Sequence, residues 1–200
     1  MSSSAHAVQF YENEEFLSSV VATFLAAGIE AGEPVVVIAT EPHRVAFVAE
    51  LERRELTWDP SRFRLLDARD TLALFMDGSL PDATQFQLHI GGVIDDLTHA
   101  GRVRAYGEMV DLLCRDGNRE GALRLEELWN DLAVDRQFSL LCAYPMGNFF
   151  QDAHSHIFDE ICRRHDHVAP TESYPRAVGD DPSRLQEIAR LQQRAHAPQA

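Results

Sequence analysis

Five short stretches of this chain place tyrosine, carboxylate, imidazole, guanidinium and thioether groups where apolar β-type runs give way to polar residues. They are Tyr11-Glu12-Asn13, Thr40-Glu41-Pro42-His43, Asp67-Ala68-Arg69, Tyr106-Gly107-Glu108-Met109 and Tyr144-Pro145-Met146. In an open parallel sheet, ligands bind beyond the carboxyl ends of the strands, so these stretches would converge on one site. Glu12, His43 and Glu108 come from three of the five. If they meet, two carboxylates beside one imidazole would favour the protonated ring and raise its pKa. Such an acidic floor suits a ligand with a hydrogen-bond donor or a cation, while Tyr11, Met109 and Tyr144 would cover an apolar part. The expected ligand-binding set is therefore Tyr11, Glu12, Asn13, Thr40, His43, Arg69, Glu108, Met109 and Tyr144.

Each of these residues also has a plainer explanation. Strand ends are polar because loops lie in solvent, and Thr40 or Asp67 could simply cap the helix that follows. His43 could be an exposed residue of a first helical turn. Arg69 could pair structurally with Glu12 or Glu108, and Tyr11 and Tyr144 could be core rings with satisfied hydroxyls. Glu108, flanked by Met109 and Val110, would be costly to bury without a partner.

A second group, His154, His156, His165 and His167, invites a metal reading, but its spacing fits no standard zinc pattern. It reads as a solvated helix end. His6 stands at a strand start, opposite the presumed pocket, and no metal or cofactor is expected. Cys114, Cys142 and Cys162 are odd in number and widely spaced, so they read as reduced core residues.

Much chemistry is excluded. The chain has no lysine; all eighteen of its basic side chains are arginine. A phosphate-cradling G-x-x-x-x-G-K-[ST] loop needs that lysine. Where such a loop would stand, Glu12, Glu14 and Glu15 would repel a triphosphate. There is no G-x-S-x-G elbow, G-x-G-x-x-G turn, C-x-x-C pair or H-E-x-x-H helix, and no amine for Schiff-base chemistry. The expectation is not an enzyme; an acid/base pair of Glu12 and Glu108 is the residual catalytic reading. A net charge of -14 argues against nucleic-acid and anionic-membrane partners. With no apolar run long enough to span a bilayer and no leader-like start, a cytoplasmic location is expected.

The elements that must position these residues follow from periodicity. Residues 6–11 read as a strand, followed by a helix with Phe16, Leu17, Val20, Val21, Phe24 and Leu25 at helical spacing, ended by a left-handed Gly28. Val35 to Ala39 is a β-branched run suited to burial on both faces. Further strands are read at 63–68, from 102 and at 138–145, and helices from Thr40 or Glu41, over 85–99, 117–133 and 150–164. This alternation predicts an α/β three-layer sandwich with a mostly parallel central sheet over residues 5–169. Residues 170–182, rich in Pro, Gly, Ser and Asp, read as a linker. Residues 183–200 read as a helical tail whose Leu185, Ile188 and Leu191 could open a dimerising coiled coil.

The wording of the segments resembles a known family. The segments are His6 to Glu12, Gly28 to His43, Leu66 to Leu72 with Phe75 to Gly78, Arg104 to Asp111, and Leu125 to Asn130. In this order they resemble the MEDS domain, the methanogen/methylotroph sensory domain of prokaryotic signal transduction. The resemblance implies a RecA/KaiC-like fold without the P-loop and a non-catalytic sensor of small organic molecules. It also implies a histidine kinase or regulator protein as partner, within two-component signalling. The tail resembles the signalling helix that leads into a kinase core, which would permit a homodimer through that helix. The alternative is a protein-interaction module, a degenerate ATPase fold that holds no ligand.

Overall fold

The computed structural model describes residues 6–150, 155–174 and 181–195. In chain order its elements begin with β1 (His6–Tyr11), α1 (Glu14–Glu30), β2 (Val35–Ala39), α2 (Glu41–Arg53) and, after a 3-10 turn, β3 (Phe63–Asp67). Then come α3 (Ala68–Ala73), the two-residue strands β4 (Met76–Asp77) and β5 (Leu80–Pro81), α4 (Ala83–Phe86), a π-helical turn and α5 (Gly92–Thr98). The second half holds β6 (Val103–Gly107), α6 (Met109–Arg115), α7 (Arg119–Asp135), β7 (Phe138–Pro145), α8 (Ser155–Arg164), β8 (His167–Ala169) and α9 (Pro182–Ala195).

Six strands form one parallel sheet in the order β3-β2-β6-β7-β1-β8. The strict two-residue alternation of a strand divides each one between two cores. Val8, Phe10, Val36, Ile38, Val103, Ala105, Leu140, Cys142 and Tyr144 face the layer built from α3 to α8. Tyr11, Val35, Val37, Ala39, Tyr106, Leu141 and Ala143 face α1 and α2. Both faces are thus covered, the arrangement a parallel sheet requires. The expected α/β three-layer sandwich with a parallel central sheet, followed by a C-terminal helix, is what the chain forms.

Several local expectations change. Gly28 is not the left-handed end of α1: the helix runs on to Glu30, and the positive φ of 70° belongs to Gly32. Gly28 lacks a side chain for another reason. A Cβ there would lie 2.7 Å from Arg104 Cδ, and Arg104 is held by Glu33 at 2.7 Å. The helix read over 85–99 forms continuously from Ala83 to Thr98, with a π turn at Gln87–Gly91 inside it. The short elements β8 and α6 carried too few residues to show a period.

The described part of the tail, residues 182–195, lies against the domain. α9 packs beside β8, with Ala189 fully buried and Gln193 Nε2 donating to the Phe149 carbonyl at 2.8 Å. Arg190 pairs with Asp159 at 3.1 Å, while Leu191 is left exposed.

Candidate functional site

Glu108 follows the last residue of β6 and stands at the carboxyl end of the central sheet. Its backbone N–H still donates to the Ile38 carbonyl at 3.1 Å, so it lies directly beside the end of β2. The side chain is buried, 4% exposed. One carboxylate oxygen accepts from the Thr40 backbone N–H, and the other lies 2.5 Å from His43 Nδ1. The Tyr106 hydroxyl donates to that second oxygen at 3.4 Å. The cost of burying Glu108 is thereby met with three donors. Burial alone would raise its pKa, but His43 and the Thr40 amide outweigh it and hold the carboxyl below its ordinary value.

His43 is placed by the first turn of α2, where Pro42 suits the helix start. Its ring stacks on Phe47 at a centroid distance of 5.5 Å, and Phe47 meets Tyr106 edge-on at 5.1 Å. The other ring nitrogen, Nε2, lies 2.8 Å from Glu14 Oε2. An imidazole bridging two carboxylates is best served by protonation. Burial pushes the His43 pKa down, yet Glu108 and then Glu14 push harder, and the net shift is upward.

Asp111, in the first turn of α6, extends the cluster. It is also 4% exposed, accepts from Asn148 Nδ2 at 2.6 Å and pairs with Arg115 Nε at 2.8 Å. Burial first, and the neighbouring Glu108 charge with it, raise its pKa to about 7 despite the opposing pull of Arg115. Tyr11, at the end of β1, is buried, and its phenol is pushed well above the ordinary value, first by burial and then by Asp111, Glu14 and Glu108. Two buried carboxyls, a bridging imidazole and a phenol thus share the strand ends.

The other expected residues go elsewhere. Glu12 does not join His43 and Glu108: its carboxylate accepts from the Thr171 hydroxyl at 2.9 Å, because the chain after β8 returns beneath this loop. Glu14, the residue that does reach His43, stands in its stead. The Asn13 side chain accepts from the Glu15 and Phe16 amides and so caps α1. Thr40 contributes its backbone N–H to Glu108 and makes no side-chain cap. Arg69 pairs with Asp116 at 3.2 Å on the surface rather than with Glu12 or Glu108. Asp67 caps α3 and pairs with Arg44 at 2.6 Å. Met109 is fully buried in the core beneath α3 to α8, as is Tyr144, whose hydroxyl donates to Glu126.

Glu14, Asp111, Arg115 and Asn148 escaped the sequence reading. Asp111 lies three residues after Glu108, a helical spacing that puts both carboxyls on one side of the first turn of α6; that was the available signal. His154 lies outside the described residues; His156 and His167 are exposed, whereas His165 is buried.

Among the described residues, no helix is long and apolar enough to cross a membrane. No curated protein matches the chain closely enough to serve as a relative. A family model does match, over residues 5–166, and its description is "MEthanogen/methylotroph, DcmR Sensory domain". That span takes in the whole sheet up to the last turn before β8. The match covers most of the chain, which therefore belongs to this family of sensory domains, MEDS.

Proposed function

We propose that the domain is a non-catalytic sensor of a small organic molecule, read at the carboxyl ends of β1, β2 and β6. The observation that carries this reading is the pairing of buried Glu108 with His43, beside a second buried carboxyl, Asp111. The group is polar, largely buried and backed by the rings of Phe47 and Tyr106, a chemistry that suits a small ligand with hydrogen-bond donors or a positive charge. The output is a histidine kinase or a transcriptional regulator, reached through α9 and what it touches. Binding shifts that output only if the ligand prefers one of two arrangements of the domain.

A thermal-shift screen tests the reading, using small alcohols, diols, amines and carboxylates on the full chain. Donor-rich or cationic compounds should stabilise it in proportion to RT ln(1 + [L]/Kd), and Glu108→Gln should reduce the shift. A screen in which no compound moves the wild-type transition would remove the ligand and leave the second reading. That second reading, a protein-interaction module without a ligand, is favoured by β3, an edge strand on which Leu65 is 43% exposed.

A further inference from the structure

A second cluster lies on the opposite face of the sheet and plays no part in the strand-end site. His6 opens β1, Cys142 sits in the middle of β7, Glu126 projects from α7, and His165 follows α8. All four are buried, and their ligating atoms lie within 4.8 Å of one another. His6 Nε2 is 3.4 Å from Cys142 Sγ and 3.4 Å from Glu126 Oε2. His165 Nε2 is 3.6 Å from Glu126 Oε1.

The hydrogen bonds around the cluster fix which way each ring presents its lone pair. Asn130 Nδ2 donates to the Arg164 carbonyl at 3.1 Å, so Asn130 Oδ1 faces His6 and accepts from its Nδ1–H at 2.9 Å. The Ile161 carbonyl accepts from His165 Nδ1–H at 2.7 Å. Both imidazoles therefore aim an unprotonated Nε2 inward, each held from behind by an oxygen acceptor. That is how metal-ligating histidines are oriented. His165 Nε2 and Glu126 Oε2 have no hydrogen-bond partner, although both are fully buried. An orphaned nitrogen lone pair and an orphaned carboxylate oxygen, aimed into one small space with a thiol, call for a cation.

We propose that His6, Glu126, Cys142 and His165 bind one divalent ion of the zinc type. Two imidazoles, a thiolate and a carboxylate form a closed four-ligand set, characteristic of a structural rather than a catalytic site. Tetrahedral bonds of zinc to nitrogen, oxygen and sulfur place ligand atoms ~3.3–3.8 Å apart. The His6–Cys142 and His6–Glu126 Oε2 separations already fall in that range, His165 is that close to the other carboxylate oxygen, and the set, within 4.8 Å overall, draws together on binding. The charges also balance, since a thiolate and a carboxylate cancel a dication and leave no net charge in the core. Binding displaces the thiol proton of Cys142 to solvent. The ion would tie β1, α7, β7 and the α8–β8 turn together. The sequence hid this set because only His165 belongs to the visible histidine group; its partners lie far away in the chain.

The rival explanation is a proton held on Glu126 and shared with the imidazoles. Because the cluster is closed to solvent, the metal must enter as the chain folds. The test is therefore to refold the full, tag-free chain with Zn2+ or Co2+, dialyse it and measure bound metal. Roughly one ion per chain is expected, with a thiolate-to-cobalt charge-transfer absorption in the cobalt form. Cys142→Ser should abolish that absorption, and His165→Gln should weaken retention against a chelator by about ten-fold or more. A wild-type chain that refolds with no bound metal, or binds cobalt without thiolate absorption, overturns the proposal. If the variants do not fold, the wild-type cobalt spectrum alone decides.

Discussion

His43 Nδ1 and Glu108 Oε2 lie 2.5 Å apart although 65 residues separate them in the chain. The contact joins the exit of β2 to the exit of β6, neighbours in the sheet, and Glu108 adds a second tie through the Thr40 amide. Whatever reaches this pair therefore reaches both central strands at once.

The first prediction concerns the charge of His43. In the wild type its imidazole should titrate above the ordinary histidine value by NMR. In Glu108→Gln the value should fall, because burial remains while the stronger of the two carboxylates is gone. A group whose folded pKa is raised adds stability that is complete below its unfolded pKa and fades as the pH rises through the folded one. The alkaline loss of stability should thus be shallower in His43→Gln than in wild type. An unchanged His43 titration in Glu108→Gln would remove the ion pair.

Asp111 gives a pH dependence of the same sign in a lower window. Burial raises its pKa to about 7, so between roughly pH 4 and 7 the native state holds a proton that the unfolded chain has released. Native stability should fall as the pH climbs through that window. Asp111→Asn should flatten the fall, by an amount on the order of a few kcal/mol across the window. Urea unfolding at several pH values measures it, and parallel curves for the two proteins would show that Asp111 ionises normally.

These two residues mark how far the sequence was legible. The β2 strand announced itself through Val35 to Ala39, because burial on both faces leaves no polar position to break the run. Glu108 and His43 were visible because they stand just beyond strand runs, Glu108 immediately after β6 and His43 in the first turn of the helix after β2. Glu12 was misplaced because its partner, Thr171, lies 159 residues away on a returning segment that has no periodic signature. Asp111 looked like an ordinary acid in a helix's first turn, and only the packing of Asn148 and Arg115 around it reveals that it is buried. Glu14 sits in the exposed first turn of α1, and no local rule points it toward α2.

The docking of α9 can be broken at one position. Ala189 is fully buried, so Ala189→Glu places a charge and extra volume where there is room for neither. The substitution should cost about 1–3 kcal/mol and expose residues 182–195 to hydrogen exchange and proteolysis. Protection equal to wild type in this segment would mean that the helix is held by its polar contacts alone.

The chain should not hydrolyse ATP. It has no lysine to reach the outer phosphates, and the turn after β1 and the start of α1 carry Glu12, Glu14 and Glu15. Phosphate release with magnesium should stay at background in the wild type. Turnover that disappears on Glu108→Gln would place catalysis at the strand ends.

The order of the strands has a consequence for how the chain is made. β1 is synthesised first, yet its two neighbours in the sheet are β7 and β8, and the His6–Cys142 contact closes a loop of 136 residues. On the ribosome, this apolar strand must wait with both edges unpaired until nearly the whole domain has emerged. β2, β3 and β6 can assemble earlier, around their own crossovers. The last step is then the insertion of the oldest strand between the two youngest, a slow closure of distant parts. During that interval the newborn chain displays a naked sheet edge, and it is there that chaperone capture or misassociation of nascent copies would act.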